Sequence, residues 1–485
     1  DDITGPAAEQ GMMGYAMIKQ QTAGLHSRLW ARAFVIESPC NGKRLVLVSA
    51  DLGQLFQGIK LEVVKELKKR FGERYRAENV ILSATHQHSG PGGYSTYTLY
   101  NLSTLGFSRE NFNAIVDGIV GAIVRADQNV APSHIRIAKR EVIGASFNRS
   151  PASYNLNPSA ERAKFAANVD TEMTLLRFER LDGTPIGLIN WFPVHGVSMN
   201  NKNHLINGDN KGYAAYLFER DFKSDYGPHA FVAAFAQANA GDVTPNANGQ
   251  EGGSDQEGMN AVKRAALPQY ETAKSLFASA SELLQGGVDY RHQYENMAQI
   301  SIDPRLTDGK AHTTCPAAIG ISMLAGTSDG EGLGKQGVNC SNIGNVFPGI
   351  ACAMTTTPCQ GVKPIALETG SMLPYSWTPN ILPLQVAEIG NVAIAALPFE
   401  LTTMTGRRIK TALEQTLNKP YVVISALSNG YAQYVATNEE YQLQRYEGAS
   451  TLFGPWQEVA LRQELTKLAQ ALAANQPLPT GPLPE

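Results

Sequence analysis

An α/β fold, with mixed central β-sheets flanked by helices, is what the sequence predicts, and three observations predict it. Short apolar runs of strand length alternate with longer amphipathic stretches at helical spacing along most of the chain. Two pairs of runs flank the turn dipeptides Asp182-Gly183 and Gly390-Asn391, a hairpin signature. Candidate reactive side chains come directly after apolar runs, where open α/β sheets bind their ligands.

The elements follow in order. Residues 45–50 (LVLVSA) predict a buried strand closed by Asp51. Residues 59–71 set apolar side chains against a charged face and predict a helix. Residues 80–85 predict a second buried strand, 108–126 a long amphipathic helix, and 134–143, which alternate, a half-exposed strand. Segments 172–181 and 186–192 predict a hairpin, 212–222 a helix, 231–236 a buried strand and 269–284 a helix. From about 300 to 380 the pattern gives way to Gly, Pro, Thr and Cys, and a loop this long in a compact protein is functional or an insertion. Segments 384–389 and 392–397 predict the second hairpin, followed by a helix, a strand at 421–427 and a helix at 456–473. The tail 476–485 is Pro-rich and predicts extended chain. No internal repeat stands out, and 1–475 is expected to form one large domain.

Composition narrows the function. The 485 residues carry 41 basic and 44 acidic side chains, a net charge of −3, which excludes a strongly basic nucleic-acid binder. At 18%, charged residues are too few for a disordered or coiled-coil chain. No apolar run reaches the roughly 18 residues needed to span a bilayer. The start at Asp1 rather than Met leads to the expectation of a processed mature form. Of the 5 cysteines, Cys40 stands alone and Cys315, Cys340, Cys352 and Cys359 fall in the Gly-rich stretch. No CxxC pair is present, so one or two disulfides in an oxidising compartment are expected, with Cys340, Cys352 and Cys359 contributing at least one. Free buried thiols are the alternative.

The chemistry-bearing residues share one placement. His86 and His88, in THQHSGPGG, put two imidazoles on one side of an extended backbone just after the strand expected at 80–85. His195 follows 186–192, and Glu400 follows 392–397. Two His and one Glu form the ligand set of many hydrolytic zinc enzymes, with an open position for water. Taken singly, His195 reads as a core histidine and Glu400 as a helix-terminal carboxylate. Two further motifs fail on context. Gly326-Thr327-Ser328-Asp329-Gly330 has the G-x-S-x-G pattern without a helix after it, and Gly332, Gly334 and Gly337 fit G-x-G-x-x-G without a βαβ unit.

The segments GMMGY (11–15), RLWARAFVIE (28–37), SATHQHSGPGGY (83–94), FNRSPASY (147–154), GDNKGYAAYLFE (208–219), NAGDVTPN (239–246) and YEGASTLFGPW (446–456) together resemble the neutral ceramidase family. The resemblance implies a secreted or membrane-associated zinc amidase that splits ceramide into sphingosine and a fatty acid. It implies one Zn2+ bound by His86, His195, Glu400 and a tyrosine from the cluster Tyr431, Tyr434, Tyr441 and Tyr446. The family's two functional tyrosines, twelve positions apart, fall on Tyr434 for the metal and Tyr446 for the oxyanion. His88 is implied as general acid and base, and Arg149 as the residue that orients substrate or stabilises negative charge. The implied partner is a lipid-like N-acyl amide, with peripheral membrane contact and no nucleic acid.

Two departures from the family stand out. Thr244 replaces the serine of the family's GDVSPN segment, and a family C-terminal β-sandwich is expected to be absent. They favour, as an alternative, the same zinc amidase acting on another N-acyl amine or a smaller amide. A non-catalytic lipid-binding relative is disfavoured because every implied ligand position is filled.

Overall fold

The structure is a computed structural model that describes residues 1–247, 258–332, 337 and 356–484. Three sheets build its body. The first runs Ala31–Glu37, Arg44–Ala50, Val80–Ala84. The second runs Val232–Gln237, Pro185–Phe192, Glu172–Arg180, Ser133–Glu141, Glu282–Leu283. The third runs Val288–Asn296, Ile381–Ile389, Val392–Ala396, Tyr421–Ser425.

Each sheet contains the same ββαβ unit. An antiparallel pair leads through a helix to a strand parallel to the second: Arg44–Ala50 with Val80–Ala84, Pro185–Phe192 with Val232–Gln237, Val392–Ala396 with Tyr421–Ser425. The connecting helices are Gln57–Phe71, Asp209–Asp221 and Thr403–Leu417. The repeat is one of topology without sequence similarity, which is why the sequence shows none.

The shared strands are buried on both faces, which explains their continuous apolar runs. Leu45 and Leu47 face a central core where the three sheets meet, together with Ile189, Trp191 and Ile394. Val46 and Val48 face the helices Gln57–Phe71 and Arg109–Gln128 instead. Helices likewise cover the outer faces of the second and third sheets.

Several expected elements are corrected. The helix expected at 269–284 spans Gly258–Ser279, and Glu282–Leu283 is instead a short edge strand paired with Ser133–Glu141. Pro268 inside the helix hid its first half, because proline normally breaks a helix interior. The strand Val288–Asn296 (VDYRHQYEN) lacked an apolar pattern because it lies at a sheet edge with a mostly polar sequence. The 300–380 stretch carries short pairings, Ile319–Gly320 with Ile365–Leu367 and Gly326–Thr327 with Gly330–Glu331. That second pairing is a tight hairpin, so the G-x-S-x-G segment is no nucleophile elbow. A disulfide joins Cys315 to Cys359 across 44 positions, and Cys40 is free and exposed. Cys340, Cys352 and Gly334 lie outside the described residues. Among the described residues no helix is long and apolar enough to cross a membrane. The Pro-rich tail has no regular structure where described and is tied to the third sheet by Tyr294 N–H donating to Thr480 O at 2.8 Å.

Candidate metal centre

One residue from each ββαβ unit reaches a common point. His86 follows Val80–Ala84, His195 follows Pro185–Phe192, and Glu400 follows Val392–Ala396. All three are at least 98% buried. The two histidine segments are zipped together: His88 N–H donates to Gly196 O at 3.1 Å and Gly196 N–H to His86 O at 3.2 Å. Gly196 permits that approach, since a Cβ there would lie 2.4 Å from His86 O. His86 itself has φ +69°, an uncommon conformation for a residue with a side chain.

Two short ladders bring the remaining groups. Glu400–Leu401 pairs in parallel with Tyr434–Val435, which sets the Tyr434 hydroxyl 3.4 Å from His195 Nε2. Phe147–Asn148 pairs with Val243–Thr244, which places Arg149 beside Thr244. Arg149 Nη2 donates to Tyr434 Oη at 3.1 Å and to Gly241 O at 2.9 Å. The Tyr434 and Tyr446 rings meet edge to face with centroids 5.3 Å apart.

Proton accounting defines the centre. His86 Nδ1 lies 2.7 Å from Gly53 O, and His195 Nδ1 lies 2.9 Å from Val243 O. A carbonyl only accepts, so both Nδ1 atoms carry the proton and both Nε2 atoms present lone pairs. Burial, then Arg149 and His86, depress the His195 pKa, which keeps that ring neutral. Glu400 Oε2 lies 3.0 Å from each Nε2 and has no proton donor. Burial raises the Glu400 pKa, and only positive charge at the facing imidazoles would pull it below the ordinary carboxylate range, charge that two neutral rings do not supply. With Glu400 as the carboxylate, three lone-pair donors face one another without a proton among them.

Their spacing suits a metal. Ligands about 2.0–2.1 Å from a tetrahedral ion stand roughly 3.3–3.4 Å apart, close to the 3.0 and 3.4 Å found here. The charges agree. Arg149 pairs with Asp329 at 3.2 Å and Glu447 at 3.0 Å, and Glu400 is a third carboxylate, leaving a net charge of −2 on these four groups.

His88 behaves differently. Its Nε2 is 3.3 Å from His86 Nε2, and the ring nitrogens of His86, His88 and His195 all lie within 4.8 Å of one another. Its Nδ1 is buried without a partner, so no carbonyl fixes its tautomer. Burial first, then His86 and His195, push its pKa well below the ordinary imidazole value.

The family model of neutral/alkaline non-lysosomal ceramidases, N-terminal, matches residues 1–463. The chain belongs to the neutral/alkaline non-lysosomal ceramidase family. A neutral ceramidase of Pseudomonas aeruginosa is 44% identical over 490 residues, covering 99% of this chain and 72% of the relative. Neutral ceramidase A of Dictyostelium discoideum is 40% identical, covering 100% of this chain and 73% of the relative. A solved ceramidase structure described as complexed with C2 superposes with a TM-score of 0.91 at 42% identity, covering 100% of this chain and 76% of that one. The crystal structure of the Pseudomonas aeruginosa neutral ceramidase superposes with a TM-score of 0.89 at 41% identity, covering 100% of this chain and 75% of that one.

The ceramidase fold brings together all eight residues singled out in the sequence: His86, His88, Arg149, His195, Thr244, Glu400, Tyr434 and Tyr446. Sequence reasoning missed three partners. The Tyr431 hydroxyl donates to Glu400 Oε1 at 2.6 Å. Glu447 accepts from Arg149 Nε at 3.0 Å and from Ser150 Oγ at 2.7 Å. Asp329 accepts from Thr244 Oγ1 at 2.6 Å. Tyr431 stood in the tyrosine cluster and Glu447 beside Tyr446, but Asp329 lay in a segment considered only as a failed nucleophile motif.

Proposed function

We propose that this ceramidase-family chain hydrolyses the amide bond of ceramide to sphingosine and a fatty acid, with one Zn2+ held by His86, His195, Glu400 and Tyr434. The observation that carries the metal is the donorless Glu400 Oε2 between two imidazole lone pairs. A divalent cation relieves that repulsion and balances the net −2 counted above. When bound, zinc supplies a Lewis acid that polarises a carbonyl and acidifies water.

The chain's own residues do the rest. His88 keeps a free Nδ1 and a neutral ring, so it takes the proton from the attacking water and returns it to the leaving amine nitrogen. Arg149 and Tyr446 offer hydrogen bonds to the negative charge that develops on the carbonyl oxygen. Arg149 is pinned before substrate arrives, by Glu447 at Nε and Asp329 at Nη1, so little reorganisation is needed. Thr244 supplies a stiff, β-branched hydroxyl to the same wall.

A lipid-like N-acyl amide is the partner this reading implies, with peripheral contact to the membrane that holds it. A secreted or periplasmic location accords with the Cys315–Cys359 disulfide. The threonine at 244 favours one second reading, the same amidase chemistry on a different N-acyl amine. Metal analysis with an amide-cleavage assay on ceramide and shorter N-acyl amines tests both. Full turnover after verified metal removal overturns the zinc mechanism, and cleavage of short amides with none of ceramide selects the second substrate class.

A further inference from the structure

The Gly326–Gly330 hairpin has a use that its G-x-S-x-G pattern does not suggest. Gly326–Thr327 pairs with Gly330–Glu331, and Ser328-Asp329 forms the turn. The Asp329 amide N–H donates to Thr327 Oγ1 at 3.1 Å, which fixes the turn. The Asp329 side chain is buried and accepts from three side chains on two segments: Arg149 Nη1 at 3.2 Å, Thr244 Oγ1 at 2.6 Å and Asn246 Nδ2 at 2.8 Å. Thr244 Oγ1 also accepts from Asn246 N–H at 3.1 Å, so its one proton and one of its lone pairs are engaged within the protein.

The hairpin also touches the opposite flank of the centre. A Cβ on Gly330 would lie 2.7 Å from Tyr15 Cδ1. The Tyr15 ring meets His88 edge-on with centroids 4.7 Å apart, and its hydroxyl donates to Met199 O at 2.6 Å. One turn therefore braces both the guanidinium and the ring beside His88.

We propose that Asp329 is a positioning residue for amide hydrolysis, joining Arg149 and Thr244 into one unit so that the Thr244 hydroxyl acts through Asp329 rather than on the substrate. This rests on the amidase reading above. A planar guanidinium held by Glu447 at Nε and Asp329 at Nη1 cannot rotate, and its Nη2 stays aimed at Tyr434. Asp329→Asn keeps the size of the side chain but removes the charge, which frees that edge of the fork.

The test uses the zinc-loaded chain with a short-chain N-acyl sphingosine in detergent micelles. In Asp329→Asn, kcat is expected to fall about 10²-fold, the typical cost of misplacing a group by about 1 Å. KM should move less than about 3-fold, as for a group felt mainly in the transition state, and zinc should stay at one per chain. Thr244→Ala should lower kcat by roughly 10- to 140-fold, the worth of one hydrogen bond to a charged group. It should have almost no further effect in the Asp329→Asn background, and Thr244→Ser should recover rate relative to Thr244→Ala. A normal kcat in Asp329→Asn, multiplicative losses in the double variant, or zinc loss that tracks the rate each overturns the proposal. So does an acyl adduct on Thr244 found by mass spectrometry. The same two substitutions and their double, unfolded in urea, read the unit without activity. Non-additive stability losses support it and additive ones overturn it, even if the parent cleaves no N-acyl amide and the amidase reading fails.

Discussion

Tyr431→Phe isolates one contact around the proposed zinc. The Tyr431 hydroxyl donates to Glu400 Oε1 at 2.6 Å while Oε2 faces the two imidazoles. The ring is buried against Phe56 and Tyr100, and the Tyr100 hydroxyl donates to Tyr431 O at 3.3 Å, so the ring stays in place when the hydroxyl is removed. A hydrogen bond to a charged group contributes about 1.5–3 kcal/mol. If that bond orients the carboxylate for metal, its loss weakens zinc binding by roughly 10- to 140-fold at 1.4 kcal/mol per decade, in line with the 10–100-fold typical of residues that support a metal ligand. Competition against a chromophoric chelator at fixed pH measures this directly. Folded Tyr431→Phe with zinc affinity equal to the parent would refute the argument that Tyr431 holds Glu400 for the metal.

Other outcomes follow from the same geometry. His86→Ala and His195→Ala should each lose zinc and activity together, whereas His88→Ala should keep zinc and lose roughly 10²- to 10⁴-fold in rate; zinc loss in the His88 variant would make it a ligand. Thiol titration of the denatured, unreduced chain should find no more than three of the five thiols free. Replacing Cys315 and Cys359 with Ser should cost about 4 kcal/mol of stability, from closing a loop of this length. The metal-free protein should be acid-labile. Burial lowers the folded-state pKa of His88, His195 and His292, the last to about 3, so unfolding takes up protons below the ordinary value of about 6.5. Stability is full above about 6.5 and falls as the pH drops toward about 3, by up to about 1.4 kcal/mol per pH unit for each histidine. Urea titrations at pH 7 and pH 5 giving equal stability would show that these rings are not held neutral.

The legible part of the fold was the part buried on both faces. Arg44–Ala50, Val80–Ala84, Pro185–Phe192 and Val392–Ala396 are covered by helices on one side and by the shared core on the other. They appear in the sequence as uninterrupted apolar runs. Val288–Asn296 is an edge strand, and its polar residues gave no such run. The helix Gly258–Ser279 was half lost because local propensity at Pro268 argues against what tertiary packing of Ala261, Val262, Ala265 and Ala266 enforces.

The proposed ligand residues were legible for a related reason. A side chain placed just past a buried strand is carried to the strand's carboxyl end, so His86, His195 and Glu400 could be marked one at a time. Nothing in the sequence says that three such ends converge, because residues 86, 195 and 400 meet only when three ββαβ units close on one core. The sequence by itself determined the residue types, the strand ends that carry them and the family to which they belong. The tertiary structure alone decided which lone pairs face one another, which histidine has no carbonyl at its Nδ1, and that Asp329 joins Thr244 to Arg149. Those are contacts between side chains up to hundreds of positions apart, and local pattern carries no information about them.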